Sequence, residues 1–337
     1  MWESCYHFSN RLIFLGFSMK PMGFQKWLAQ ADDLTPFQRQ RALKALAAPD
    51  PDRASHDVIE ERIADARRCP RCTMPRATRH GMVHGLQRYR CTHCRRTFNA
   101  LTGTPMAGLR KKEKWLEYAD ALKDGVTIDK AAERCAVHPT TAFRWRHRFL
   151  KGFVADKASA LSGIVEADET FFLESFKGQR ALPRPARTRG GKAVKPGLSA
   201  EQIPVLIARD RHGETFAAIL EGLDAEHLGA ALKPVLGRDT LLCTDGSQAF
   251  KAMAKGAGIA HQALNIKAGV RVKERIFHIQ NVNAYDSRLK GWMQRFNGVA
   301  TRYLDSYLGW QQFFERHKEE ATNPKSWLIA AIRSAPG

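Results

Sequence analysis

The sequence contains no apolar run approaching the roughly 20 residues that a membrane-spanning helix needs. Its nearest approach, Arg11 to Phe17, is too short for the core of a secretory signal and carries no cleavage pattern. Cysteine is sparse, at seven in 337 residues. Four of the seven form two C-x2-C pairs, and Cys5, Cys135 and Cys243 are scattered. That usage excludes a disulfide framework and fits metal-binding thiols in a reducing compartment. Acid is absent from one long stretch: Ser175 to Ala200 holds seven Lys or Arg and no Asp or Glu.

What is abundant is base, with a net charge of +20. From Arg67 to Leu150 there are nineteen Lys or Arg against six Asp or Glu, an excess of 13. The acid-free stretch supplies the other seven, and the rest of the chain balances at 28 against 28. Basic charge gathered in two segments points to a polyanionic partner, most simply nucleic acid. Solubility or nonspecific RNA contact is the plain alternative. A chain of this length holds two or three domains and a sizeable core.

At the front, the first 18 or so residues read as an upstream extension, with Met19 or Met22 as alternative starts. Thr35 to Ala48 is predicted to be a helix, with Thr35 as cap and Pro36 at its first position. Phe37, Leu43 and Leu46 are its apolar positions, and Pro49-Asp50-Pro51-Asp52 stops it. A second helix is expected over His56 to Arg67. Then come Cys69 and Cys72, eighteen residues, and Cys91 and Cys94. Thiolates two residues apart on a tight turn reach one ion, and two such pairs complete the tetrahedral four-thiolate site of structural zinc. Val83, Leu86 and Tyr89 between them have the alternation of short ribbon strands. His80, His84 and His93 are not needed as ligands.

Residues 114 to 150 have helix-turn-helix spacing. Lys114 to Lys123 forms one amphipathic helix ended by Gly125, and Ile128 to Cys135 a second. After the turn Ala136-Val137-His138, Pro139 starts a third helix. Phe143, Phe149 and Leu150 are expected to face its core; Thr140, Thr141, Arg144 and Arg148 are expected outward, as on a recognition helix in the major groove. A plain helical bundle joining two domains is the alternative.

Gly163 to Phe172 reads as a buried strand that carries carboxylates. Burying Asp168 unpaired costs several kcal/mol, so a metal or a basic side chain must compensate it. Asp239 to Ser247 is a second short apolar run, and Asp245-Gly246 falls at its carboxyl end, where sites on open sheets form. Asp245 starting a turn or capping a helix is the plain reading. Gln280 to Trp292 looks helical, with Asn283, Asp286 and Lys290 on one face; a solvated polar face is the alternative there. Glu166 shares the Asp168 face and is a weaker candidate; Glu169 should point away.

Taken together, Asp168 in VEADETFF, Asp245 in LLCTDG, and Asn283 and Lys290 in NAYDSRLK resemble a family. They are similar to the bacterial insertion-sequence transposases with an RNase H-like DDE domain, in the subgroup with the signature D…D…N-x6-K. The likeness covers roughly residues 60 to 320, including the cysteine and helix-turn-helix modules. It implies a mixed α/β fold: an RNase H-like catalytic domain preceded by a zinc ribbon and a helix-turn-helix domain. The expected domains are a helical extension (1–60), the ribbon (61–110), the helix-turn-helix (111–155) and the catalytic domain (159–325), with the basic stretch 175–200 as a flexible insert. Within the last, Ile203 to Ala208 and Thr215 to Leu220 are expected to form a hairpin. Helices are expected over Ala225 to Leu236 and Gln248 to Lys255.

The resemblance implies a DNA transposase that cuts and joins element ends. Phosphodiester cleavage needs an activated nucleophile and a stabilised phosphorus centre, which two Mg2+ (or Mn2+) ions about 4 Å apart supply. Asp168 and Asp245 are the expected central ligands and Asn283 a neutral third. Asp286 is a charged alternative outside the family pattern, and Lys290 a contact to phosphate or the leaving oxygen. The expected partners are double-stranded DNA, both terminal inverted repeats and target, and further copies of the chain; no membrane is expected. The expected location is the bacterial cytoplasm, at the nucleoid. Trp292, Phe296, Tyr303 and Trp310 are expected to pack the last helices rather than stack on flipped bases. Because Asn283 replaces a carboxylate, an inactive DNA-binding regulator stays open as a second reading; a nuclease without strand transfer is a third.

Overall fold

The computed structural model describes residues 25–26, 28–47, 51–63, 67–154, 160–188, 190–191, 193–195, 199–237, 239–265, 268–318 and 320–333. The extension with Met19 and Met22, and the expected domain start at Ser159, lie outside them. The chain divides into two units, the first ending at Asp50. Taken by itself, the first unit contains helix α1 (Pro36–Ala47). Thr35 and Gln38 cap it reciprocally: Gln38 N donates to Thr35 Oγ1 at 3.3 Å and Thr35 N to Gln38 Oε1 at 3.0 Å. Phe37 and Leu43 are exposed.

The second unit opens with α2 (Pro51–Glu61). It begins five residues before the predicted His56, because Pro51 takes the tolerated first position instead of only ending α1. Three antiparallel strands follow: β1 (Thr78–Val83), β2 (Leu86–Arg90) and β3 (Thr97–Phe98). The β1–β2 turn places His84 and Gly85 at φ 50° and 79°, the twist that short hairpins prefer.

Next come α3 (Trp115–Lys123), α4 (Ile128–Arg134) and α5 (Pro139–Val154). Thr127 caps α4, and Ala136 makes the turn into α5 at φ 50°. The buried face of α5 repeats at helical spacing through Ala142, Trp145, Arg146, Phe149, Leu150 and Phe153. Phe143 falls off that face and is 41% exposed, against expectation. Arg146 takes a core position instead. Its guanidinium lies over the rings of Trp310 (5.1 Å) and Phe296 (5.8 Å) and donates to Val126 O.

The larger sheet has β4 (Ile164–Leu173), β5 (Gln202–Asp210), β6 (Thr215–Ile219), β7 (Leu241–Thr244) and β8 (Ala260–Ala263), in the order β6-β5-β4-β7-β8. The first three form an antiparallel meander, and β7 and β8 run parallel to β4. This order and mixture of directions is that of RNase H-like folds. Helices α6 (Ala225–Leu232) and α7 (Gln248–Ala257) connect the later strands. Val165, Ala167, Leu206 and Leu242 pack in a cluster with Leu228, Phe250 and Met253 of these two helices. The other face packs under α8 (Gln280–Gln294) through Val282, Tyr285 and Leu289. Helix α6 stops four residues short of the predicted Leu236, which instead bridges to Leu161.

Two last helices, α9 (Leu304–Arg316) and α10 (Pro324–Ala331), turn back onto the helix-turn-helix. Trp310, Phe313, Trp327 and Leu328 share one core with Trp115, Tyr118, Trp145 and Phe153. The approach is close at Gly152, where a Cβ would collide with Ala330 O and crowd Ala331. Trp292, Phe296 and Trp310 pack together, with ring centroids 4.9 to 5.3 Å apart. Tyr303 stacks on His147 of α5 at 3.6 Å.

Among the described residues, the basic stretch after β4 has no helix or strand, yet it is tethered. Arg187 donates to Glu174 O (2.6 Å) and Glu201 Oε1 (3.1 Å), and Val194 N to Glu201 Oε2 (2.8 Å). Those donors hold the Glu201 carboxyl below its ordinary range, the Val194 amide foremost.

Candidate active site

Strand β4 and its parallel neighbour β7 set the geometry. Glu166 pairs in register with Cys243. Asp168 lies two residues further along β4, in its middle, and Asp245 follows the last residue of β7, close enough for its charge to act on Asp168. Gly246, at φ 83°, turns the chain there; a Cβ on it would press on Ala263 and Leu264 O at 3.2 to 3.3 Å. Asp245 also accepts from Ser247 N at 2.9 Å, so it starts a turn as well. Ser247 in turn caps α7.

Helix α8 brings the third group. Asn283 is exposed, Asp286 half-buried and Lys290 exposed. Lys290 Nζ donates to Asp286 Oδ2 at 2.8 Å, while Asp286 Oδ1 is buried without a hydrogen-bond partner. Burial pushes the Asp168 carboxyl up to about 6, with Asp245 and Asp286 adding to the rise. The Glu169 amide, donating at 2.9 Å, and Lys290 oppose it. These mutual effects mean that carboxylates from β4, β7 and α8 share one field.

Glu169 belongs to that field too. It was expected to point away, but burial first, then Asp168 and Asp245, push its carboxyl up to about 7. Alternation puts its Cβ on the opposite face, yet its longer side chain stays half-buried. His261, on β8, is a neighbour that the sequence did not single out. Its ring bonds Thr244 Oγ1 at 2.9 Å, and burial lowers its basicity against the pull of Asp245.

Glu166 has a different use from metal binding. It is fully buried, and it accepts from Asn281 N (2.7 Å), Val282 N (3.0 Å) and Asn281 Nδ2 (2.9 Å). Ile279, the residue that precedes α8, offers no side-chain cap. Glu166 therefore caps that helix from the sheet, placing negative charge on the helix N-terminus. Arg211 at 2.8 Å and His278 at 3.3 Å balance it. Because Glu166 and Asp168 are neighbours on one strand face, this cap fixes α8 relative to Asp168.

The four cysteines form the second candidate centre. Their sulfurs all lie within 4.8 Å of one another, the only such set of three or more ligand atoms among the described residues. Cys69 faces Cys94 at 3.7 Å and Cys72 faces Cys91 at 3.5 Å. The amides of Cys94 and His93 lower the Cys91 thiol, to about 6. Thiolates in this arrangement can hold one tetrahedral metal ion.

On α5, Thr140 and Arg144 are exposed and Thr141 is half-buried. Arg148 is half-buried and donates to Ala107 O at 2.9 Å, which ties it to the segment after the cysteine module. No helix among the described residues is long and apolar enough to cross a membrane.

An RNase H-like sheet behind a helix-turn-helix is the architecture of the DDE-type class of DNA-binding proteins. Residues 160–315 match the ISXO2-like transposase domain, and residues 109–155 a homeodomain-like domain. A protein of Halobacterium salinarum, described as an uncharacterized protein in transposable element ISH50, is 25% identical over 284 residues, covering 83% of this chain and 95% of the relative. The matched domains and this relative together support an insertion-sequence transposase. Among solved structures, a chain of the simian T-cell lymphotropic virus intasome with PP2A regulatory subunit B56 gamma is similar at 12% identity and TM-score 0.28, over 48% of this chain. This chain spans half the length of that one. A pre-cleavage Mos1 transpososome is similar at 13% identity and TM-score 0.19, over 65% of this chain and 78% of that one. At such scores neither likeness carries weight.

Proposed function

We propose that this transposase binds the ends of its element through the helix-turn-helix and cuts and joins DNA with divalent ions held at Asp168 and Asp245. The observation that supports it most is that Asp168 of β4 and Asp245, the residue just past the end of the parallel strand β7, lie near each other and near the helix that carries Asn283, Asp286 and Lys290. The donors suit Mg2+ or Mn2+: hard oxygens, and one buried carboxylate oxygen, Asp286 Oδ1, with no partner. Bound ions would activate the attacking water or 3′-hydroxyl and stabilise charge on the phosphate. Asp168 and Asp245 hold them. Asn283 offers a neutral carbonyl oxygen, and Asp286 supplies the third carboxylate that the D…D…N pattern lacks. Lys290, kept in place by Asp286, contacts a phosphate or the leaving oxygen.

The four-cysteine centre holds zinc as a structural ion, since four thiolates leave no open position. Thr140, Thr141, Arg144 and Arg148 make the DNA contacts of α5. Pairing of two ends calls for more than one copy of the chain, acting in the cytoplasm on nucleoid DNA.

The test is Mg2+-dependent joining of end DNA by the purified protein. Joining should vanish in Asp168→Asn and Asp245→Asn while DNA binding stays. Joining that persists in both would end the metal reading, and intact strand transfer in Asp286→Ala would remove Asp286 from it.

A further inference from the structure

Further along β4 from Asp168 lies a cavity of about 730 Å3, of whose lining the cutting and joining roles use Lys290 alone. Its apolar lining includes Phe171, Phe172, Phe176, Leu182 and Met293. Its charged lining is Lys177, Arg184, Arg187 and Lys290 against one carboxylate, Glu174. Lys290 belongs both to this wall and to the field of Asp168. Strand β4 also runs directly from Asp168 to Phe171 and Phe172, about 10–13 Å at 3.3 Å per residue. The cavity is thus the space into which a DNA strand would run after passing the aspartates.

The walls are tied together before any ligand arrives. Lys177 Nζ reaches the carbonyls of Asn297 (3.3 Å) and Gly298 (3.0 Å), just past the end of α8. Ser175 and Thr301 exchange two hydrogen bonds, Ser175 N to Thr301 Oγ1 at 2.8 Å and Thr301 N to Ser175 O at 2.9 Å. Arg184 lies over the ring of Phe176 at 5.2 Å. A guanidinium on an aromatic face is a platform on which a nucleobase stacks regardless of its identity. Gln179, Gln294 and Asn297 line the same cavity and are exposed, so their amides can meet the edge of an unstacked base.

The rim continues toward the helix-turn-helix. A Cβ at Gly178 would lie 3.6 Å from Arg302 Nη2. Arg302 covers the ring of Tyr303 at 4.9 Å, and Tyr303 stacks on His147 of α5. A cationic and aromatic path therefore joins the recognition helix to the cavity within one copy of the chain.

We infer that this cavity binds one unpaired nucleotide at the end of the DNA strand being processed, base on Phe176 and Arg184, phosphate toward Lys290. A volume of this size fits a single nucleotide and is far too small for a duplex. The inference rests on the reading of Asp168 and Asp245 as the DNA-processing centre.

The probe is a 20-base-pair duplex with one unpaired 3′ nucleotide, compared with the same duplex blunt, bound to the full-length Asp168→Asn protein. The tailed duplex should bind about 10-fold tighter. A 5-iodouracil tail should photo-crosslink within residues 171–187, and a 2-aminopurine tail should lose fluorescence on binding as its base stacks, and regain it in Phe176→Ala. Phe176→Ala should abolish the tail preference. So should Leu182→Glu, a carboxylate placed at a position already 40% exposed, where folding tolerates it. Crosslinks elsewhere, or an unchanged tail preference in both variants with normal melting, would overturn the inference. Wild type that joins DNA but shows no tail preference overturns the pocket alone. Wild type that keeps the tail preference but joins no DNA in Mg2+ supports the pocket and overturns the catalytic reading beneath it.

Discussion

The two candidate metal centres are built in opposite ways. The cysteine centre takes its ligands from two short turns, and its four sulfurs already lie within 4.8 Å of one another. The carboxylate centre draws on β4, β7 and α8, from positions up to 118 residues apart, and its oxygens are not gathered so tightly. The difference has an electrostatic cause. Thiols can be neutral and touch, whereas carboxylates in a half-buried site lose solvation and repel each other; burial first, and neighbouring carboxylates second, raise the Asp168 and Glu169 carboxyls. One centre is a finished staple. The other, on the reading proposed above, would need a divalent cation to draw its carboxylates together.

That contrast is most severely tested at the aspartates. Asp168→Asn or Asp245→Asn should lower joining by about 10³-fold or more, as loss of several kcal/mol of charge stabilisation implies. DNA retention in a gel-shift assay should remain.

Removing the Glu166 cap should come next. Glu166→Ala leaves the partly exposed Arg211 without its carboxylate and frees the N-terminus of α8. Joining should fall about 10- to 100-fold, with folding weakened by about 1–3 kcal/mol as the α8 amides lose their acceptor. Glu166→Gln keeps an acceptor and should recover part of both. Because a displaced helix weakens ion binding, the Mn2+ concentration needed for half-maximal activity should rise, which a loss of folded protein alone would not cause.

The staple should fail differently. Cys69→Ser or Cys91→Ser should release about one zinc per chain by metal analysis and weaken DNA binding about 10-fold. The divalent-ion affinity of the aspartates, read by calorimetry, should stay unchanged.

The smallest effect concerns pH. The folded Asp168 carboxyl titrates near 6 against 3.8 ordinarily. A raised carboxyl favours folding at low pH, and that contribution disappears as pH climbs from about 4 through 6. In metal-free protein the ionised Asp168 therefore costs stability above pH 6, about 3 kcal/mol. Mg2+ should raise the melting temperature by a few degrees at pH 8 and hardly at pH 5. Asp168→Asn should be more stable than wild type at pH 8 without metal, and joining should decline below about pH 7.

Much of this was legible from residue types and spacing. C-x2-C pairs admit few geometries, so the thiol cluster could be read directly. Charge inside a β-prone run marked Asp168 as costly but left a metal and a basic partner equally open; the D…D…N-x6-K resemblance is what joined it to Asp245. The helices around Pro36, Ile128 and Pro139 declared themselves by caps and turn residues. What stayed hidden was tertiary. Glu166 looks like a second acidic candidate until the bare N-terminus of α8 is seen resting on it. Strand β8, Ala-His-Gln-Ala, carries no apolar alternation and exists because β7 pairs with it. Phe143 and Arg146 exchange the places that hydrophobicity assigns, since the aromatic rings of α9 and the segment before it stabilise a buried guanidinium. The tethering of the basic stretch likewise depends on Glu174 and Glu201, two acids just outside it.

The central claim is that Asp168 and Asp245 jointly hold a divalent ion, and anomalous diffraction from Mn2+-soaked crystals tests it most directly. A manganese peak in contact with carboxylate oxygens of both aspartates, with Asp286 turned toward it, is the predicted result. Manganese bound elsewhere, with the two aspartates instead paired to lysine or arginine side chains, would contradict it.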